Sequence, residues 1–535
     1  MTDTLDDLFR RLEQLNEIGT ALSTERDIGR LLEKILLAAQ TITHADGGTL
    51  YRVTEDRHAL RFEIVRNDSL GIVLGGTSGN PLNFPDLPLR DESGAPNNSF
   101  VAAFAALNDK TVNIADAYSA AGFDFSGTRS FDERTGYRSC SFLTVPMKNH
   151  EHEIIGVLQL INALDPATGA VVPFSLAAER LAASLASQAA IALTNRLLIS
   201  QLEALFESFI KLINLAIDEK SPYTGGHCQR VPALTMMIAE AVNAAQDGPF
   251  AAFTMSESDF YELKIAGLLH DCGKVTTPVN VVDKATKLQT LFDRIALIDT
   301  RFEVAKRDVQ IAALQKQLEL RGNENRAAEV VCQAECQKEL AALDAERDFL
   351  RRANIGSEAM SPADQQRVQD IGATRQWRNP AGVEADFLSA EEIENLAIRA
   401  GTLTAGERET INHHIVATIK MLEALPWPKH LRHVPEYAGG HHERMDGQGY
   451  PRGLTREQLS PQARMMGIAD IFEALTAKDR PYKSGMKLSQ AIDIMKKFSQ
   501  NGHIDPDLFE VFLSRGVHLA YAERFLDPAQ IDQVG

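Results

Sequence analysis

Cysteine is scarce. The 535 residues include five, at positions Cys140, Cys228, Cys272, Cys332 and Cys336. An odd number spread thinly through a long chain excludes a disulfide framework and reads as reduced thiols of a cytoplasmic protein. Long apolar runs are lacking too: no stretch reaches the ~18 residues that a membrane-spanning helix requires. The most apolar candidate, Leu181–Leu198, is rich in alanine and interrupted by Ser184, Ser187, Gln188, Thr194 and Arg196, so it reads as a packed helix. Positive charge is outnumbered. The net charge of -18 argues against a surface for a nucleic-acid polymer and fits an acidic cytosolic protein. The first residues, Met1 to Asp7, are acidic and contain no apolar signal segment, so secretion is not expected.

What is present divides into zones, and a chain of this length is expected to hold two to four domains. Up to about residue 200, helical spacing at Leu5–Leu22 and Ile28–Ile42 alternates with β-rich stretches at Thr49–Val53, Ser141–Met147 and Ile154–Ile161. Gly71–Ser99 is rich in Gly, Pro, Asn and Asp and predicts a loop or a ligand-covering segment. From Phe174 to Glu219 the helical pattern is nearly unbroken and stops at Ser221-Pro222. It is either one connector helix or two ordinary helices joined by a bend.

Beyond it the chain is helical and rich in histidine, with ten of its 14 histidines at or after His227. That skew points to metal or acid–base chemistry. Inside this half, Gln289–Ala400 differs. Leu291, Ile295, Ile298 and Phe302 follow a heptad-like spacing, Arg321-Gly322-Asn323 offers a turn, and a second helix runs through Arg352. An antiparallel helical hairpin is expected. Cys332 and Cys336 lie i,i+4 with Leu340 and Leu343 on one face, where a buried seam is favoured over a two-cysteine metal site. Gly356–Ala385 is polar and is expected to be mobile.

Four segments carry ligand chemistry. His441-His442 cannot share one helix face, since neighbouring side chains project about 100° apart. They can serve two metal ions lying side by side, and Asp446-Gly447 and Gly449-Tyr450-Pro451 describe a tight turn beside them. His270-Asp271 ends an apolar helix and puts an imidazole next to a carboxylate, which can bridge two cations; Lys274 adds a positive charge suited to a phosphate oxygen. His227 opens a helix after Gly225-Gly226. Asp470 sits in the apolar helix Arg464–Thr476, where a buried carboxylate needs a counter-charge.

In this order, with Arg480-Pro481-Tyr482-Lys483 following, these residues resemble the HD-GYP family of metal-dependent phosphohydrolases. The similarity runs from about Leu205 to Leu526, with Gln289–Ala400 read as an insertion. It implies an all-α domain that hydrolyses cyclic-di-GMP to pGpG or GMP, by attack of a metal-bridging hydroxide on phosphorus. The implied ligands are His227, His270, Asp271, His441, His442, Asp470 and a histidine in the helix after Gly401-Thr402-Leu403-Thr404. His414 is favoured there over His413. Asp271 and Lys274 are the implied catalytic residues. Lys274, Tyr450, Arg480 and Lys483 are candidate substrate contacts, with solvated surface charge as the alternative for Arg480 and Lys483. Some members carry a glutamate four residues before the first histidine; Tyr223 stands there, so two metals are expected rather than three, iron or manganese by resemblance. Two divalent cations outweigh the two carboxylates, and the surplus positive charge suits a hydroxide together with an anionic phosphodiester.

Upstream, Phe131–Arg138, Ser141–Met147 and Ile154–Asn162 resemble the GAF domains of cyclic-nucleotide phosphodiesterases and adenylyl cyclases, over about residues 15–195. The resemblance implies an α+β fold, a six-stranded antiparallel sheet flanked by helices, and a small-molecule pocket. The Asn-Lys…Phe-x-x-x-Asp-Glu signature of those relatives reads here Asn162-Ala163…Phe174 to Ala178-Glu179, without the lysine and the aspartate. A cyclic nucleotide is therefore not the expected ligand; a sensor of another, unassigned small molecule and a purely structural dimerisation domain both stay open. The expected protein is a cytoplasmic homodimer, with a GAF sensor at 15–195, a connecting helix at 196–222 and an HD-GYP domain at 205–535 carrying the 289–400 insertion. Two alternatives keep the site: a phosphodiesterase for another cyclic dinucleotide such as cyclic GMP-AMP, and a catalytically silent receptor or scaffold.

Overall fold

The structure, a computed structural model, describes residues 16–91, 93–220, 226–322, 326–356, 359–478 and 485–532. The chain divides into two compact units, Met1–Phe206 and Glu207–Gly535.

The first unit is built on an antiparallel sheet. Its strands are β1 (Ala45–Val53), β2 (Ala59–Asn67), β3 (Ile72–Gly75), β4 (Leu87–Pro88), β5 (Val112–Ile114), β6 (Phe142–Lys148), β7 (Ile154–Leu164) and β8 (Val171–Val172). Six of them form the path β3-β2-β1-β7-β6-β5, while β4 pairs with β2 and β8 with β7. The six-strand path matches the expected sheet, and Gly71–Ser99, expected as a loop, supplies β3 and β4 within it. Period-two alternation gives the sheet two covered faces. Leu50, Leu158 and Leu160 point to one core, with Leu31, Ile35 and Leu36 of helix α1 (Ile28–Thr43) and Leu185, Ala189 and Leu193. Their neighbours Tyr51 and Val157 point the other way, against Ala102 and Ala103 of α2 (Val101–Asn108). A short helix α3 (Ser126–Thr135) precedes β6. The helical pattern from Phe174 resolves as one helix, α4 (Leu176–Lys220), 45 residues long. No helix among the described residues is long and apolar enough to cross a membrane.

The second unit is helical. Its site-bearing helices are α5 (His227–Asn243), α6 (Glu257–Leu269), α11 (Ala405–Glu423), α12 (Val434–Gly439) and α13 (Pro461–Thr476), with α14 (Leu488–Gln500), α15 (Pro506–Ser514) and α16 (Val517–Phe525) behind them. Starts are fixed by caps: Ser256 and Thr404 each close a capping box, on α6 and α11. Between α6 and α11 lie α7 (Ile295–Gly322), α8 (Arg326–Ile355), α9 (Pro362–Thr374), the two-stranded β9 (Gln376–Arg378) and β10 (Glu384–Asp386), and α10 (Ala390–Leu396).

Ion pairs set the register of α7 on α8: Asp299–Arg351, Glu303–Arg347, Lys306–Asp344 and Arg321–Glu329. As one number rises the other falls, so the hairpin is antiparallel. Ile298 and Phe302 are fully buried in its core, and Cys332 is buried with Leu343 while Cys336 is half-buried. Two expectations need correction. Leu291 is 97% exposed, because α7 begins only at Ile295 and Leu291 belongs to the turn before it. Residues 356–385, expected to be mobile, hold α9 and most of a β-hairpin. Ser361 caps α9 and Pro362 opens it, while Val368, Ile371 and Gly372 are buried.

Candidate metal centre

His227 is the first residue of α5, after Gly226 at a φ of 90°. His270 caps the end of α6, and Asp271 and Lys274 follow in a tight turn (Cys272–Thr276). That turn packs on α11 at Gly273, where a Cβ would stand 2.0 Å from the His414 carbonyl oxygen and 2.6 Å from Thr418 N. Only glycine lets the two backbones approach so closely, and the approach brings Asp271 to His414. His441 and His442 sit in the turn just after α12, and Asp470 is on α13.

Seven expected ligands, from segments far apart in sequence, thus converge. Asp271 lies between them: its Oδ2 is 3.0 Å from His227 Nε2 and 3.2 Å from His270 Nε2, and its Oδ1 is 3.2 Å from His414 Nε2. His227 Nε2 is 3.3 Å from Asp470 Oδ1. His414 and His442 approach through Nε2 at 3.2 Å, and the rings of His270 and His441 are 5.0 Å apart. Asp470 retains 14% exposure of its side chain, so it is less enclosed than its apolar helix suggested. His413 is exposed. Tyr223, Arg480 and Lys483 lie outside the described residues.

The backbone aims the imidazoles. Nδ1 of His270, His414 and His441 each faces the carbonyl three residues earlier, at Gly267, Ile411 and Ala438. A carbonyl only accepts, so Nδ1 carries the proton and the Nε2 lone pair points inward. His227 is held differently, by Glu473 Oε2 at 2.5 Å from its Nδ1. Glu473 is buried and also accepts from Arg230 Nε at 2.8 Å. Sequence reasoning missed both residues. The available signal was spacing: Glu473 stands i+3 from Asp470 and Arg230 i+3 from His227, each on one helix face with a ligand. It also missed Glu443, whose carboxylate accepts from the N–H groups of Arg452 (2.8 Å) and Leu454 (2.9 Å) and fixes the loop after the paired histidines. In that loop the Tyr450 ring stacks on His442, 4.8 Å between centroids.

Electrostatics follow from burial and pairing. Burial would raise the pKa of Asp271, but Lys274, 2.6 Å away, and the imidazoles of His270 and His227 hold it well below the usual carboxylate range. Burial also opposes the Asp470 carboxylate, and His227, His441 and His442 hold it low. Burial, with His270 alongside, pushes His441 down to about 4, leaving a neutral imidazole. Burial opposes the charged form of Tyr450 as well, and its phenol is raised.

Two sets of three side chains each have ligand atoms within 4.8 Å of one another: His227 with His270 and Asp271, and His414 with His441 and His442. Asp271 Oδ1 and His441 Nε2 are buried without a hydrogen-bond partner. Buried polar atoms are rarely left so, and a cation is the partner that fits both a carboxylate oxygen and a bare imidazole nitrogen. The donor set is imidazole and carboxylate without thiolate, which suits Fe, Mn, Zn, Co or Ni. Cys228 and Cys272, next to ligands in sequence, are buried thiols, their pKa pushed up to about 12 and about 11, chiefly by burial.

The HD domain family model matches residues 389–508 and the GAF domain family model matches residues 27–193. A cyclic di-GMP phosphodiesterase of Pseudomonas aeruginosa is 49% identical over 73 residues, 14% of this chain and 17% of that protein. The 3′3′-cGAMP-specific phosphodiesterase 1 of Vibrio cholerae is 44% identical over 80 residues, 15% of this chain and 18% of that protein. The 3′3′-cGAMP-specific phosphodiesterase 3 of the same organism is 33% identical over 174 residues, 32% of this chain and 30% of that protein. The chain spans less than a third of the length of each of these relatives. His414, His441, His442 and Asp470 fall within the HD match, whereas His227, His270 and Asp271 lie before the inserted hairpin and outside it. The chain therefore carries a GAF domain at residues 27–193 and, after it, an HD domain at residues 389–508.

Proposed function

We propose that this protein is a metal-dependent phosphodiesterase of the HD-GYP type that hydrolyses cyclic di-GMP. The carrying observation is the inward-facing cluster itself, in which Asp271 Oδ1 and His441 Nε2 are buried with no partner. The proposed ligands of two iron or manganese ions are His227, His270, Asp271, His414, His441, His442 and Asp470. Such ions, when bound, lower the pKa of a water towards ~7 and polarise a phosphoryl oxygen. The chain's own residues do the rest. Asp271 stays ionised and presents one oxygen to each group of imidazoles. Lys274 keeps its positive charge beside Asp271, where it stabilises charge developing on a phosphoryl oxygen. Tyr450, neutral and stacked on His442, holds that ring in place and bounds the space open to a nucleotide.

Metal analysis and a product assay on anaerobically purified protein test this. About two metals per chain and conversion of cyclic di-GMP to pGpG or GMP are expected, with both lost in His270→Ala. A metal-loaded protein that leaves cyclic di-GMP intact but cleaves cyclic GMP-AMP would move the substrate to the second reading, which two of the relatives favour by name. Regulation by the GAF domain is part of the proposal, and so is homodimerisation. The dimer is supported by Leu198, Leu202, Leu205, Phe209 and Leu212 of α4, all exposed and at alternating steps of four and three, the spacing of a coiled-coil seam. Leu202→Glu with Phe209→Glu is expected to convert a dimer to a monomer in light scattering.

A further inference from the structure

The C-terminal part of α4 is tied by two side chains, Glu207 and Lys220, to the segments that lead into the metal-ligand cluster. Glu207 Oε1 accepts from Lys264 Nζ of α6 at 3.2 Å, and α6 ends at His270. Lys220, the last residue of α4, donates from Nζ to the carbonyl oxygens of Lys274 (3.4 Å) and Val275. Those two carbonyls belong to the turn that follows Asp271, in which Lys274 N donates to Asp271 O and Thr277 N to Lys274 O. An ammonium set at the carbonyl end of a helical turn is favourably placed for that turn's dipole.

We propose that Lys220 is a positioning residue: it holds the Asp271–Lys274 turn and so transmits displacement of α4 to Lys274. The geometry is suited to this. Lys274 meets Asp271 at i,i+3 across a single turn, so a shift of that turn's carbonyls moves its ammonium by a comparable distance. Misplacement of a catalytic group by about 1 Å costs on the order of a hundredfold in rate. α4 begins at Leu176, inside the segment that matches the GAF domain model. Lys220 is therefore where a movement of that helix would first reach a residue of the reaction. The inference rests on the phosphodiesterase reading for its kinetic arm only.

The test compares Lys220→Met and Lys220→Arg in the full chain. Hydrogen–deuterium exchange of the amides at Lys274–Thr277 is expected to rise severalfold in Lys220→Met and to stay at the wild-type level in Lys220→Arg, which can still reach the carbonyls. Metal content should be unchanged in both. With cyclic di-GMP, Lys220→Met is expected to lower kcat about tenfold with KM within about twofold. Lys220→Arg should recover most of that loss. Lys220→Met added to Lys274→Met should cost nothing more, because the residue acts through Lys274. Unchanged exchange in Lys220→Met, or full additivity with Lys274→Met, overturns the proposal. If the wild type cleaves no cyclic dinucleotide, the phosphodiesterase reading fails while the exchange result still decides the role of Lys220.

Discussion

The ligand cluster and the base of the inserted hairpin are both helical, both buried and both charged, yet they treat charge in opposite ways. At the insertion, buried charges find their partners within the chain. Arg301 forms two bonds to Glu392, at 2.7 and 2.9 Å, and a third to the Phe387 carbonyl. Lys284 meets Glu407 and Asn395, and Lys287 donates to the carbonyls of Leu396 and Ile398. In the cluster, by contrast, Asp271 Oδ1 and His441 Nε2 point into the space between the imidazoles with nothing to bond. Two negative carboxylates are held there against burial. A satisfied charge network specifies a fold, whereas an unsatisfied one of this composition is completed by something the chain does not itself supply.

The largest expected effects break the cluster side of that contrast. His270→Ala and Asp271→Ala should each abolish metal binding and lower phosphodiesterase turnover by at least about a thousandfold. Metal analysis and product chromatography would check this. Glu473→Gln is milder. It keeps an acceptor for His227 but removes the charge shared with Arg230, and apparent metal affinity should weaken by about 10–100-fold, read by competition with a chelator. If Glu473→Gln and His270→Ala behaved alike, Glu473 would have to be counted among the ligands.

Arg301→Met breaks the other side. Glu392, buried and left with only the Ser389 N–H, should destabilise the second unit by about 3 kcal/mol without loss of metal. Trp377 lies against Arg301 and reports the transition by fluorescence. The effect depends on pH with a definite sign. Burial alone would raise the Glu392 pKa, but Arg301 lowers it below its ordinary 4.5. Its contribution is therefore fully present above pH 4.5 and is lost as pH falls through the lower folded value. The gap between wild type and Arg301→Met should narrow in acid; a gap that stayed constant with pH would show that Arg301 stabilises through packing on Trp377 instead.

How much of this was legible in the sequence follows the same division. The candidate ligands were legible because coordination demands one residue type at one place, and His270-Asp271 or His441-His442 has few other uses. Glu473 and Arg230 were not, since a carboxylate or guanidinium on a helix reads by default as a solvated side chain until the opposing helix is known. In the insertion the hairpin was legible from its apolar spacing. The spacing ran one turn too far at Leu291, because nothing in periodicity marks where α7 starts. Residues 356–385 were misread for a different reason. A short helix needs only Val368 and Ile371 buried among polar neighbours, and two apolar residues do not make a period.

The smallest prediction sharpens the contrast within the insertion itself. Lys287 is buried among carbonyls rather than carboxylates, and burial lowers its pKa from 10.5 to about 8. Between those two values the unfolded chain binds a proton that the folded chain does not, so stability rises with pH across that window. In urea titrations followed by tryptophan fluorescence, the wild-type midpoint should increase modestly from pH 7.5 to pH 9.5, and Lys287→Met should flatten that increase while lowering the midpoint, because two carbonyls lose their donor. A slope that survived in Lys287→Met would assign it to another group and would leave Lys287 charged and fully solvated by its two carbonyls, in which case even this carboxylate-free site is a completed one.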